Sequence, residues 1–114
     1  MARAWILWAA VAAGCSGSGG GSSCPNDLPA TCPSDAAGYA ATVAPILAVR
    51  CVACHSPGGT SAHYLQTYAE VSDLKGAVLD QVYSCRMPQA GSTPLTDTER
   101  QALLGWLVCG APDD

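Results

Sequence analysis

The chain has 114 residues, only 12% of them charged, no Phe and a net charge of −4. That length holds one domain, and its core is thin enough that cross-links or a cofactor are expected to support it. The acidic balance excludes nucleic acid as a partner, because phosphate binding needs a basic stripe.

The first element reads as an address. Arg3 supplies a positive start, and Ala4 to Ala13 is an unbroken apolar run. The run is shorter than the ~20 residues a membrane-spanning helix needs, and it suits the apolar region of an export leader. It ends in Ala12-Ala13-Gly14-Cys15. This is similar to a bacterial lipobox, with Ala12 where that pattern usually has Leu, and it implies that Cys15 takes lipid and becomes the new N-terminus. An ordinary secretory leader with Cys15 as a spare thiol is the alternative. Ser16 to Ser23 is wholly Gly and Ser, a flexible tether. Residues 1–14 are therefore expected to be the leader, 15–38 a lipid-anchored Gly/Ser/Pro-rich tether with a small Cys loop, and 39–114 the domain. The address implies a bacterial cell envelope, with the chain facing the periplasm or the outside. Ser16 stands where an Asp retains some lipoproteins at the inner membrane, so the outer membrane is favoured.

Seven cysteines need an account. In an oxidising compartment thiols pair or are used. With Cys15 lipidated and Cys51 and Cys54 committed to a cofactor, Cys24, Cys32, Cys85 and Cys109 remain. They make two disulfides with three possible connectivities.

Val43 to Arg50 predicts a short helix with one buried face, apolar at Val43, Ile46, Leu47 and Val49. Pro45 places its regular start near Ala44. Ser56-Pro57-Gly58-Gly59 ends it. On its last turn stands Cys51-Val52-Ala53-Cys54-His55, the spelling of a c-type haem attachment site. Two thiols three positions apart reach both vinyl groups of one haem, and the adjoining His faces the iron. A thioredoxin-like reading would need a strand before the motif inside a βαβ pattern, and none is visible. A zinc reading would need two more ligands from His63, Cys85 or Cys109, at spacings zinc sites do not use.

Tyr68 to Asp73 and Gly76 to Tyr83 read as shorter helices. Thr96-x-x-Glu99 is a capping box that opens a final helix with Leu103, Leu104, Leu107 and Val108 on its apolar face and Trp106 at the border. Gly110 and Pro112 stop it. Gly105 costs ~1 kcal/mol relative to Ala in a helix interior, which a close helix crossing would explain. No segment alternates as a strand, so the domain reads as all-α.

The landmarks Val43-x-Pro45-Ile46-Leu47 leading into Cys51-x-x-Cys54-His55, then Met87-Pro88, then a capped terminal helix with Trp106 and Gly110-Ala111-Pro112, resemble a class I monohaem cytochrome c domain over residues 39–112. The resemblance implies a small helical fold whose first and last helices cross around one covalent haem c. Cys51 and Cys54 would carry its thioethers, His55 would be the proximal iron ligand, and a Met would be distal. Met87 is the Met that remains once Met1 leaves with the leader. It is favoured over His63, since an early-loop His would have to cross to the opposite haem face. The short interval from His55 to Met87 implies trimmed loops and an exposed haem edge. Arg86 could pair with a haem propionate or stay solvated, and Trp106 and Tyr83 could pack on the porphyrin or in the core. Because in such a fold the last helix passes the start of the Met loop, Cys85 is expected to pair with Cys109, and Cys24 with its neighbour Cys32.

The expected activity is electron transfer by a lipid-anchored monomer between unnamed redox partner proteins. It is not enzymatic: no nucleophile–base pair, phosphate loop or carboxylate dyad is visible. The alternatives are a haem-based ligand sensor or peroxidase-like protein with an open iron position, and a haem-free disulfide-stapled surface lipoprotein.

Overall fold

A computed structural model of the chain describes residues 24–114. The expected leader, the expected lipid site at Cys15 and the Gly/Ser stretch of residues 16–23 lie outside the described residues. Among the described residues the regular structure is helical and no strand occurs. A π-helical turn, Tyr39–Val43, runs directly into α1, Ala44–Arg50; α2, Tyr68–Asp73, is followed closely by α3, Lys75–Tyr83; α4, Asp97–Val108, is the longest.

Local chemistry sets these bounds. Pro45 lies in the first turn of α1, where a missing N–H costs nothing. Thr67 and Glu70 form a reciprocal capping box at the start of α2, and Thr96 and Glu99 do the same for α4. α4 leads to Gly110, whose φ of +87° is a left-handed conformation that glycine adopts without steric cost.

The buried face of α1 is Val43, Ile46 and Leu47. Val49 does not join it and is 67% exposed. At 3.6 residues per turn Val49 lies roughly 110° around the helix from the centre of that stripe, while Arg50 falls within it. Arg50 there meets α4, its Nε donating to Glu99 Oε1 at 3.0 Å. One apolar cluster joins all the helices, with Val43, Leu47, Val71, Val82, Leu103 and Leu104 at its centre. Trp106 is not at a border but fully buried. Its ring packs on Tyr39 at a centroid distance of 5.6 Å, and its indole N–H donates to the Pro112 carbonyl at 2.9 Å. α4 packs against α3 and the π-helical turn.

Residues 24–38 lie across α3 and α4. Arg100 is the organiser: it sits buried on α4 and donates to Asp27 Oδ2 at 2.9 Å, to the Val82 carbonyl at 2.7 Å and to the Pro25 carbonyl at 3.4 Å. The hydroxyl of Tyr83 donates to Asn26. Pro33 covers Gly105: a Cβ there would stand 3.5 Å from Pro33 Cγ, so a loop proline, not a crossing helix, approaches this glycine.

The four cysteines pair among themselves as expected, but with another connectivity. The bonds are Cys24–Cys85, with Cα atoms 5.8 Å apart, and Cys32–Cys109, at 4.6 Å. The expected Cys85–Cys109 and Cys24–Cys32 pairs do not form. The grip of Arg100 on Asp27 and Pro25 carries Cys24 to the end of α3, where Cys85 follows Tyr83. The same segment then runs on over Gly105 to Cys109 at the end of α4. The N-terminal segment thus engages both helix ends and cannot close on itself.

Candidate functional site

The Cys-x-x-Cys-His motif forms the turn that follows α1 rather than the helix's last turn. The amides of Cys51 and Val52 both donate to the Leu47 carbonyl, at 2.9 and 3.0 Å, which closes the helix. Cys54 and His55 then donate back to the Cys51 carbonyl, at 3.3 and 3.0 Å. Both cysteines consequently stand on one tight turn. They are the two unpaired cysteines among the described residues.

The next ten residues fold back over this turn. Ser61 donates to the Cys54 carbonyl at 3.0 Å and Leu65 to the His55 carbonyl at 2.8 Å. Gly59 permits the approach, since a Cβ there would lie 2.8 Å from the Cys54 carbonyl carbon. The loop also orients the imidazole: Nδ1 of His55 is 2.8 Å from the His63 carbonyl oxygen. A carbonyl can only accept, so Nδ1 carries the hydrogen and Nε2 of the neutral ring keeps its lone pair. This is the arrangement in which a His is ready to bind a metal.

The turn forms one wall of a cavity of about 620 Å³, lined also by Leu74, Val78 and Val82 and by Met87 and Leu95. That is within the usual range for cofactor-sized ligands, roughly 300–1,000 Å³. Cys51, Cys54, His55, His63 and Met87 all border it. Met87 is held there by its amide, which donates to the Gln81 carbonyl at 3.0 Å just before α3 ends.

Cys51 is half-buried, and burial, with a smaller contribution from the Glu99 carboxylate, pushes its thiol up to about 11. It is the opposite of an activated redox thiol, whose pKa is lowered by neighbouring positive charge. Cys85 and Cys109 are both in disulfides and so cannot complete a zinc site with the motif. Among the described residues no group of three or more His, Cys, Asp or Glu side chains gathers as a metal site.

Other expected positions fall away from the cavity. Arg86 is on the surface, 3.6 Å from Asp80 Oδ2 and bonded to Ser84. Trp106 and Tyr83 are engaged in the core and on the N-terminal segment. Arg50 is the cation that reaches the cavity; its position directly before Cys51 was the available sign. The role of the His63 carbonyl leaves no trace in residue type. No family model, no curated protein and no solved structure matches this chain.

Proposed function

We propose that the chain is a lipid-anchored monohaem c-type cytochrome that carries single electrons in a bacterial envelope. One observation carries the reading. The two thiols left unpaired, while four others are oxidised, stand on one turn beside an imidazole whose Nε2 is free, on the wall of a largely apolar cavity.

Cys51 and Cys54 would hold the haem as thioethers, and His55 and Met87 would be the ligands of its iron. The bound group supplies reversible Fe(III)/Fe(II) cycling. The protein's part is to orient the imidazole through the His63 carbonyl, to keep water away with Leu74, Val78 and Leu95, and to present a soft thioether. His63 is the weaker distal candidate because its own carbonyl ties it to the side of His55. In this reading the first and last helical segments cross around the haem, Cys15 holds the chain at the membrane, and the partners are other redox proteins. Met87 on the iron disfavours the sensor or peroxidase-like alternative, which needs an open position.

The two disulfides favour one second reading, a haem-free stapled surface lipoprotein, but it leaves Cys51, Cys54 and the cavity without a task. Co-expression with a cytochrome c maturation system separates the two. The expected product keeps its haem on a denaturing gel and shows a sharp reduced-minus-oxidised spectrum. Cys51→Ser with Cys54→Ser removes the stain, and Met87→Ala opens the iron to CO and cyanide. A chain that sheds its haem on denaturation overturns the proposal.

A further inference from the structure

The two disulfides differ in their surroundings. Cys24, Cys85 and Cys32 are exposed and only Cys109 is half-buried, so exposure separates the two bonds at one sulfur and the charge beside the leaving sulfur separates them further. The guanidinium of Arg100 lies against one sulfur only: Nη1 is 3.7 Å from Cys85 Sγ. Among the described residues no Arg or Lys makes such a contact with Cys32 or Cys109. Cys85 also has a φ of +63°, a left-handed backbone uncommon for a residue with a Cβ. It precedes Met87 by two positions.

We propose that Cys24–Cys85 is a reducible latch on the Met87 loop, opened ahead of Cys32–Cys109 by a dithiol reductant. A thiolate of the reductant attacks Sγ of the exposed residue Cys24, forming a mixed disulfide there and breaking the Cys24–Cys85 bond. Cys85 leaves as a thiolate, and its developing negative charge falls beside Arg100, although Asp27 shares that cation. Exchange is faster when the leaving sulfur bears its charge easily. Cys85 then takes a proton. The second thiol of the reductant attacks its partner sulfur in the mixed disulfide, and Cys24 leaves and is protonated in turn. Two electrons pass from the dithiol, which ends as a disulfide, and two thiols result. Asp27 and Asn26 keep the N-terminal segment on Arg100 and Tyr83, so the fold persists. Cys85 becomes free to relax its backbone, and the Met87 loop loses its covalent tie.

The effect on iron ligation rests on the cytochrome reading; the opening order and the loop release do not. The test takes the matured chain through graded dithiothreitol under native conditions, quenches with an alkylating reagent, and maps the modified cysteines. Cys24 and Cys85 are expected to be modified at about tenfold lower dithiothreitol than Cys32 and Cys109. Brief trypsin treatment of the half-opened product should then cut after Arg86 at least about tenfold faster than in the untreated chain. In haem-loaded protein that has been alkylated, freed of dithiothreitol and reoxidised with ferricyanide, the weak long-wavelength band of Met-to-Fe(III) ligation should be lost over the same range of dithiothreitol. The Cys24→Ser/Cys85→Ser variant should show the faster cut without reductant. Simultaneous opening of both bonds, Cys32–Cys109 opening first, or unchanged cleavage after Arg86 overturns the latch. A persistent band with the latch open overturns its link to Met87. A band absent before any reductant counts against Met87 as the distal ligand, while opening order and cleavage still decide the latch.

Discussion

The side of the molecule where residues 24–38 cross α3 and α4 and the side that holds the cavity solve opposite problems. The first is closed by covalent bonds, a buried cation and prolines laid on helices. The second keeps two thiols unpaired and an apolar cavity of about 620 Å³ open. A cavity that size forgoes contacts a small core can hardly spare. The difference teaches that the stapled side supplies the rigidity the cavity side gives up.

The strongest way to break this comparison is to remove the staples. The bonds close spans of 61 and 77 residues, each contributing about 4 kcal/mol by unfolded-chain entropy. Replacing all four cysteines by Ser should leave no cooperative thermal transition by circular dichroism at 37 °C. Replacing Cys32 and Cys109 alone should cost more than replacing Cys24 and Cys85, because Arg100 still holds the segment near Cys24.

Arg100 comes next. Arg100→Met strands Asp27 and the carbonyls of Val82, Tyr83 and Pro25, and should cost about 2–3 kcal/mol in urea unfolding. Acid should weaken both sides, through Asp27 on the stapled side and Glu99, the partner of Arg50, towards the cavity. Hydrogen bonding from Arg100 lowers the Asp27 pKa, and the Thr96 amide lowers that of Glu99. Both carboxylates thus bind protons more weakly folded than unfolded. Their stabilisation is full above the ordinary carboxylate range, and it is lost as pH falls through their depressed values, below about pH 4. The melting temperature should drop between pH 5 and pH 3, with a smaller drop in Asp27→Asn.

On the cavity side, iodoacetamide at pH 8 should label Cys54 of the haem-free chain at least about tenfold faster than Cys51, whose thiol is half-buried and raised to about 11. Equal rates by mass spectrometry would show that the turn is not held against the core. The smallest effect belongs to Gly105→Ala. Its new Cβ would make ordinary contact with Pro33 at 3.5 Å, so the helix should gain up to about 1 kcal/mol. A loss would show that Pro33 sits closer to α4.

What could be read from the sequence divides along the same line. α1 and α4, and the two short helices between them, are legible because proline, capping boxes and apolar spacing act within a few residues. Thr67-x-x-Glu70 repeats the spelling of Thr96-x-x-Glu99 and would have marked α2 as clearly. Cys51, Cys54 and His55 are legible because their chemistry depends on adjacency. The disulfide partners are not, since they are chosen by where Arg100 pulls residues 25–27, and nothing local distinguishes a buried organising Arg from a solvated one. Val49 misleads because its fourth-residue neighbour Pro45 shifts no face, while Arg50 takes the buried stripe for its pair with Glu99.

The interleaving of the two disulfides also sets an order of events at birth. A chain emerges N-terminus first, so Cys24, Cys32, Cys51 and Cys54 all appear before either correct partner. No native bond can close until Cys85 has emerged, and the second must wait for Cys109. Oxidation that outruns emergence therefore finds only wrong pairs, among them pairs with Cys51 and Cys54, which the native fold leaves unpaired. Faithful production of this small domain depends on timing: either oxidation lags behind emergence, or an isomerase undoes early bonds and returns Cys51 and Cys54 to the unpaired state.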